Sequence, residues 1–334
     1  MSTPVDEQPP GATLPTELWL SILDPLVRAQ YSLSAPQPAE VQRTLLALSL
    51  TSRALHPLAS HYLYDCLWIR SSAQLEHLLE HTFAARQRRV RTLIYSGPLR
   101  ALPTQSVCAL LEHVAPSLER LFLSLSLGMP LAAYNNPLLL LRPALQRATH
   151  LRELGSFSNA SDELIFPLRR QMRRTLQPAP EVLQWPGVER IALVSLSMGS
   201  AELLAHVLPD VRSVVLPAQA LEDGFVLRLQ SILQSLPVPP SPAQRRDLIW
   251  VRHQDDMEEG DASGAWFLFH FLPVVERLAE RNSDRVRVWL LHAPVGRMGL
   301  GWWMMHRMLQ GEMWRDMGIR LGQNGEGAER KPDG

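Results

Sequence analysis

Residues 118–125 read LERLFLSL, and the reading of this run decides the fold. An apolar residue opens it, the charged pair Glu119 and Arg120 follows, and Leu121, Phe122 and Leu123 make a short strand-favouring stretch. Six further short β-like runs stand out, several of them opening in the same way: 90–95 (VRTLIY), 151–157 (LRELGSF), 188–196 (VERIALVSL), 211–216 (VRSVVL), 247–252 (DLIWVR) and 286–292 (VRVWLLH). Successive runs start about 23 to 39 residues apart.

Helical spacing fills the intervals. Ser71 and Gln74 are placed as a capping box, with Leu75, Leu78, Leu79 and Phe83 behind them. Val107, Leu110, Leu111 and Val114 give one apolar face, and Leu203, Leu204 and Val207 a second. Val226, Leu229, Ile232, Leu233 and Leu236 give another, and Phe267, Phe271, Val274, Val275 and Leu278 the longest. A helix–strand unit of this size cannot bury its own apolar face. Stacked units bury a continuous core and leave one strand surface open. The expected fold class is therefore α/β, an irregular repeat array over 71–321. A closed doubly wound α/β domain is the competing architecture. No strand run is followed by a glycine-rich phosphate loop.

Composition bounds the function. The chain has 334 residues, 46% of them hydrophobic, as expected of a folded protein. Lys and Arg together number 33 and so do Asp and Glu, which excludes a chain-wide basic field for nucleic acid. Lys331 is the single lysine. Two cysteines, Cys66 and Cys108, exclude a disulfide framework and a cysteine-rich zinc module. Residues 1–12 read as a disordered leader without a secretory pattern, and 322–334 as a flexible tail. The most lipid-like stretch, 121–141, is broken by Pro130, Pro137, Asn135 and Asn136, so no membrane span is expected. A soluble protein of cytoplasm or nucleus is the default.

The segment 13–70 reads as a helical module. Thr13 suits a helix cap and Pro15 the first helical turn, and Leu18, Ile22 and Leu26 recur on one face. Pro25 falls inside this pattern and is expected to kink or end the helix. A second apolar helix covers 45–55 (LLALSLTSRAL), a third begins near His56, and Leu67, Trp68 and Ile69 end the module as a short strand.

The LPxEL opening at Leu14, Pro15, Glu17 and Leu18, the Ile22–Leu23–Leu26 continuation and the 45–59 run together resemble an F-box. The whole chain is similar to fungal F-box proteins in which a degenerate leucine-rich-repeat-like array follows. The resemblance implies a three-helix F-box-like module followed by an irregular leucine-rich-repeat-like α/β solenoid. It implies docking on a Skp-type adaptor through Leu14, Pro15, Leu18, Ile22, Leu23, Leu46 and Leu50, and so assembly with a cullin–RING ubiquitin ligase. It implies no catalytic residue and no cofactor in this chain. The plainer alternative is that the same leucines pack on one another as a cap for the array.

Several motifs resemble enzyme chemistry. Ser195-Leu196-Ser197-Met198-Gly199, after a strand run, resembles a nucleophile elbow with Ser197 as nucleophile and the Met198 amide in an oxyanion hole. Asp223, Asp247, His253 and His292 are the later acids and histidines a triad would draw on. An α/β-hydrolase-like serine hydrolase is thus the enzymatic alternative. His77, Glu80 and His81 match H-x-x-E-H, with no third zinc ligand identifiable, so the pair reads as the wet side of a helix. Arg86, Arg88, Arg89 and Arg91, and Arg169, Arg170, Arg173 and Arg174, lack interleaved aromatics and read as solvated faces rather than a nucleic-acid surface. The acidic run 255–261 reads as a solvated loop. Trp185, Trp250, Trp266, Trp289, Trp302, Trp303 and Trp314 read as core and C-terminal cap, with a target-protein groove as the functional alternative. The expectation that results is a non-enzymatic substrate-recognition subunit that binds an adaptor and a target protein. A plain scaffold is the third possibility.

Overall fold

A computed structural model describes residues 15–29, 38–83, 89–98, 104–126, 137–157, 184–194, 204, 207–217, 230, 232–234, 245–253, 272–294, 300–316 and 318–321. The chain divides into two compact units, Met1–Tyr64 and Asp65–Gly334. Leader 1–12, tail 322–334 and loop 255–261 lie outside the described residues.

The first unit holds three helices: α1 (Thr16–Ala29), α2 (Pro38–Thr51) and α3 (Leu55–Asp65). Leu23 of α1 packs with Val41 and Leu45 of α2, and Leu58, Tyr62 and Leu63 of α3 close over them. The Tyr62 hydroxyl donates to Asp24 at 2.5 Å, tying α3 to α1. Against expectation, α1 runs through Pro25. Pro25 and Ser21, whose carbonyl loses its helical partner there, are both exposed, so water can take that bond.

The second unit is mixed α/β, built on one nine-stranded sheet in which spatial order equals chain order. The strands are β1 (Cys66–Ile69), β2 (Thr92–Pro98), β3 (Arg120–Ser126), β4 (Glu153–Ser156), β5 (Arg190–Leu193), β6 (Ser213–Pro217), β7 (Arg246–His253), β8 (Val286–Ala293) and β9 (Ile319–Arg320). All neighbours pair parallel except β8 and β9. A doubly wound sheet reverses its strand order at a switch point. This sheet has no such reversal. Leu67–Ile69, assigned from sequence to the helical module, instead form β1 and pair with β2. Gly318, directly before β9, has a positive φ of 83°, which suits glycine.

One face of the sheet carries Leu67, Leu93, Leu121, Leu154, Ile191, Val214, Leu248 and Val288 in one register row. These residues pack in a single core with α4 (Ser72–His77), α5 (Thr104–Val114), α6 (Pro137–Gln146) and α7 (Leu272–Arg281). The capping box forms in a shifted version. The Ser71 hydroxyl accepts from the Gln74 amide, while the Gln74 side chain accepts from the Arg70 amide and donates to the Trp68 carbonyl. Trp185 and Trp250 belong to this core, and the Trp185 indole donates to the Leu145 carbonyl.

The opposite face is not the open strand surface expected from sequence. Ile94, Phe122, Ala192, Val215 and Ile249, in one row of it, are all buried. The helix α8 (Leu300–Gln310) reaches this face over the middle strands: a Cβ on Gly301 would stand 3.2 Å from Val194 and 3.4 Å from Phe157. Trp303, Met304, Met305 and Met308 of α8 are buried. The helix thus supplies apolar cover for a sheet apolar on both sides. Trp303 is core, as its spacing suggested, although it serves a sheet face rather than an end cap. Among the described residues no helix is long and apolar enough to cross a membrane.

Candidate protein-interaction site

On α1, residues four apart share a face, and Leu18 and Ile22 are 48% and 53% exposed. On α2 the same spacing leaves Leu46 51% and Leu50 85% exposed. Leu20 is exposed as well. Five of the six large apolar side chains exposed among the described residues therefore lie on these two helices; the sixth is Ile319. Leaving leucine in water forfeits on the order of 1.5–3 kcal/mol per side chain, which makes these five the candidate contact residues of the unit.

The seven residues named for adaptor docking do not all sit on this surface. Leu18, Ile22, Leu46, Leu50 and Pro15 are exposed. Leu14 lies outside the described residues. Leu23 is 1% exposed and holds α1 to α2. It occupies the buried side of α1 because it follows Ile22 by one position, about 100° around the helix. Leu20, which the sequence pattern did not single out, is on the exposed side.

In the second unit the conspicuous polar feature is a charge ladder at the strand starts. Thr92, Arg120, Glu153, Arg190, Ser213, Asp247 and Arg287 stand in one register row. The Glu153 carboxylate accepts from Arg120 Nε at 2.6 Å and from Arg190 Nη1 at 2.9 Å. Asp247 accepts two bonds from Arg287 and one from the Trp289 indole, each 2.8 Å. One position earlier, Arg91 makes a bidentate bond to Glu119 at 3.0 and 2.8 Å. Hydrogen bonding from Arg91 holds the Glu119 carboxyl below its ordinary range, against the opposing effect of burial. A cavity of about 360 Å³ opens along this edge between Glu119, Arg120, Arg152, Glu153, Glu189 and Arg190 and the end of α8 at Gly311. Its walls alternate in sign, and Glu153 is already paired with Arg120 and Arg190.

No protein-family model and no curated protein matches this chain.

The remaining motifs are placed as follows. The elbow at 195–199 lies outside the described residues, as do Asp223 and the Arg169–Arg174 group. Asp247 and His292 do not face one another: the strand alternation puts Asp247 with Trp289 on one side of the sheet and His292, paired with Arg252, on the other. Burial, and then the Arg252 charge, push the His292 imidazole below its ordinary value. Within the first arginine cluster, Arg89 and Arg91 both pair with Glu119. Their charge is thus partly spent inside the fold. Cys66 and Cys108 are not joined in a disulfide, and burial, with Glu112 nearby, pushes the Cys108 thiol up.

Proposed function

We propose that this chain is a substrate-recognition subunit of an SCF-type (cullin–RING) ubiquitin ligase. The three-helix unit acts as an F-box-like module that docks a Skp-type adaptor. The nine-stranded unit, read as a leucine-rich-repeat-like solenoid, holds the target protein, and ubiquitin transfer is left to the partner ligase. The observation that carries this reading is the exposed apolar surface of Leu18, Leu20, Ile22, Leu46 and Leu50 over a small self-sufficient core of Leu23, Val41 and Leu45. The sequential parallel order of the sheet supports the repeat reading, because stacked units add strands in chain order. The covered strand face moves target contact away from the sheet centre and toward the charged edge at Arg120, Arg152, Glu189 and Arg190, where the cavity opens.

Co-purification tests the proposal. The full-length chain is expected to retain a Skp-type adaptor, and Leu46→Glu with Leu50→Glu to lose it while the sheet unit stays folded. A folded wild-type chain that binds no adaptor overturns the reading in favour of a scaffold.

A further inference from the structure

We propose that His77 and His81 form a two-imidazole chelate for a borderline divalent transition metal, with Cu²⁺ preferred over Ni²⁺ and Zn²⁺. His77 ends α4, and His81 lies in the π-helical turn Leu78–Phe83 that continues it. Residues four apart are already neighbours on an α-helix, and the wider π turn brings them closer to eclipsed. Their ring centroids are 4.6 Å apart. A metal about 2.0 Å from one nitrogen of each ring, at the right angle of a tetragonal Cu²⁺ site, sets two imidazole centroids roughly 4.5 Å apart. The pair therefore stands near chelating separation before any metal arrives.

The backbone that carries the rings is anchored. Leu75 is fully buried, and Leu78 and Leu79 pack against the main core. The rings themselves face water: the His81 side chain is 62% exposed. Glu80 Oε2 lies 3.8 Å from His81 Nε2, which puts a carboxylate where it offsets the metal's charge and accepts from a metal-bound water. Among the described residues no group of three or more His, Cys, Asp or Glu surrounds a common point. The proposed site therefore takes two protein ligands, with water in the remaining positions, and is open and exchangeable. Imidazole donors of this kind follow the order that ranks Cu²⁺ first.

His77 and His81 are the one i, i+4 pair among the eleven histidines of the chain, so the test isolates them. The full-length chain is titrated with CuCl₂, and binding is followed by calorimetry and electron paramagnetic resonance. One Cu²⁺ per chain is expected, with hyperfine structure from two imidazole nitrogens. His77→Ala and His81→Ala each lower the affinity at least tenfold and lose one nitrogen from the spectrum, while His113→Ala changes neither. Both side chains are exposed, so the substitutions leave the core intact, and His77→Asn with His81→Asn provides a second, polar pair of variants. Copper uptake shared equally by the wild type and the double variant, or a spectrum with one nitrogen, overturns the proposal.

Discussion

Arg120 on β3 donates from Nη2 to the backbone carbonyl of Met308, 2.6 Å away and 188 positions later in the chain. Its Nη1 reaches the Leu309 carbonyl at 3.4 Å, and its Nε is held by Glu153. The last carbonyls of a helix lack partners within it, and a cation there also offsets the helix dipole. One guanidinium fork thus fastens α8 to the sheet. Lysine carries its three donors on a single nitrogen and cannot span Glu153 and two carbonyls as a planar fork of three nitrogens does. Arg120→Lys is expected to cost about 1–2 kcal/mol and to speed amide hydrogen exchange across 303–309. Unchanged exchange there would mean that apolar packing alone holds α8.

Gly155 lies under a stacked pair of rings. A Cβ there would stand 2.6 Å from Phe122 and 2.7 Å from Phe157, whose centroids are 6.2 Å apart. Gly155→Ala must push the pair apart and is expected to cost about 1–3 kcal/mol as overpacking, read as a lowered denaturation midpoint. The double variant Gly155→Ala with Phe157→Leu is expected to recover part of that loss.

The Tyr95 hydroxyl is buried with no hydrogen-bond partner among the described residues, and burial pushes its pKa up to about 12. Tyr95→Phe removes that desolvated group while keeping the ring in the core. It is expected to stabilise the sheet unit by about 1 kcal/mol. A destabilised variant in urea unfolding would show that the hydroxyl has a role the fold does not display.

Much of this architecture is legible in sequence, for a local reason. The seven β-like runs overlap β2 to β8, and six of them open with the apolar–charged step that sets a strand's alternation. β1 is legible as a strand, but nothing in Leu67, Trp68 and Ile69 tells whether it pairs with a helix module or a sheet. β9 is two residues long and directly follows Gly318, so it carries no period. The cover on the second face is the larger omission. It requires Arg120 to meet Met308, and no spacing in either segment encodes that meeting. The exposure of Leu46 and Leu50 follows from their helical spacing. The burial of Leu23 follows from which side of α1 meets Val41 and Leu45, a tertiary fact.

Acid tests the Arg91–Glu119 pair. Glu119 is held below the ordinary carboxyl range chiefly by its hydrogen bond to Arg91. A depressed folded-state pKa stabilises above the unfolded value, about 4.3 for glutamate, and the contribution disappears as pH falls through the lower folded value. Glu119→Gln removes it at neutral pH. The gap in melting temperature between wild type and Glu119→Gln is expected to be constant from pH 7 to pH 5. It should then close below about pH 4. A gap that persists at pH 2 would assign the effect to the lost packing of the side chain, not to its charge.

Leu50 and Leu23 separate docking from packing within the three-helix unit. Leu50 is 85% exposed, so Leu50→Asp should alter stability by no more than about 0.5 kcal/mol. On the adaptor reading the same substitution weakens adaptor capture at least tenfold, since it puts a charge at the centre of an apolar contact. Leu23 is 1% exposed, and Leu23→Ala leaves a cavity against Val41 and Leu45 that costs about 2–5 kcal/mol. That variant loses adaptor only by unfolding its helices, which circular dichroism detects. Should Leu50→Asp bind adaptor as the wild type does, the exposed face of α2 is not the contact, and the α1 pair Leu18 and Ile22 must carry it alone.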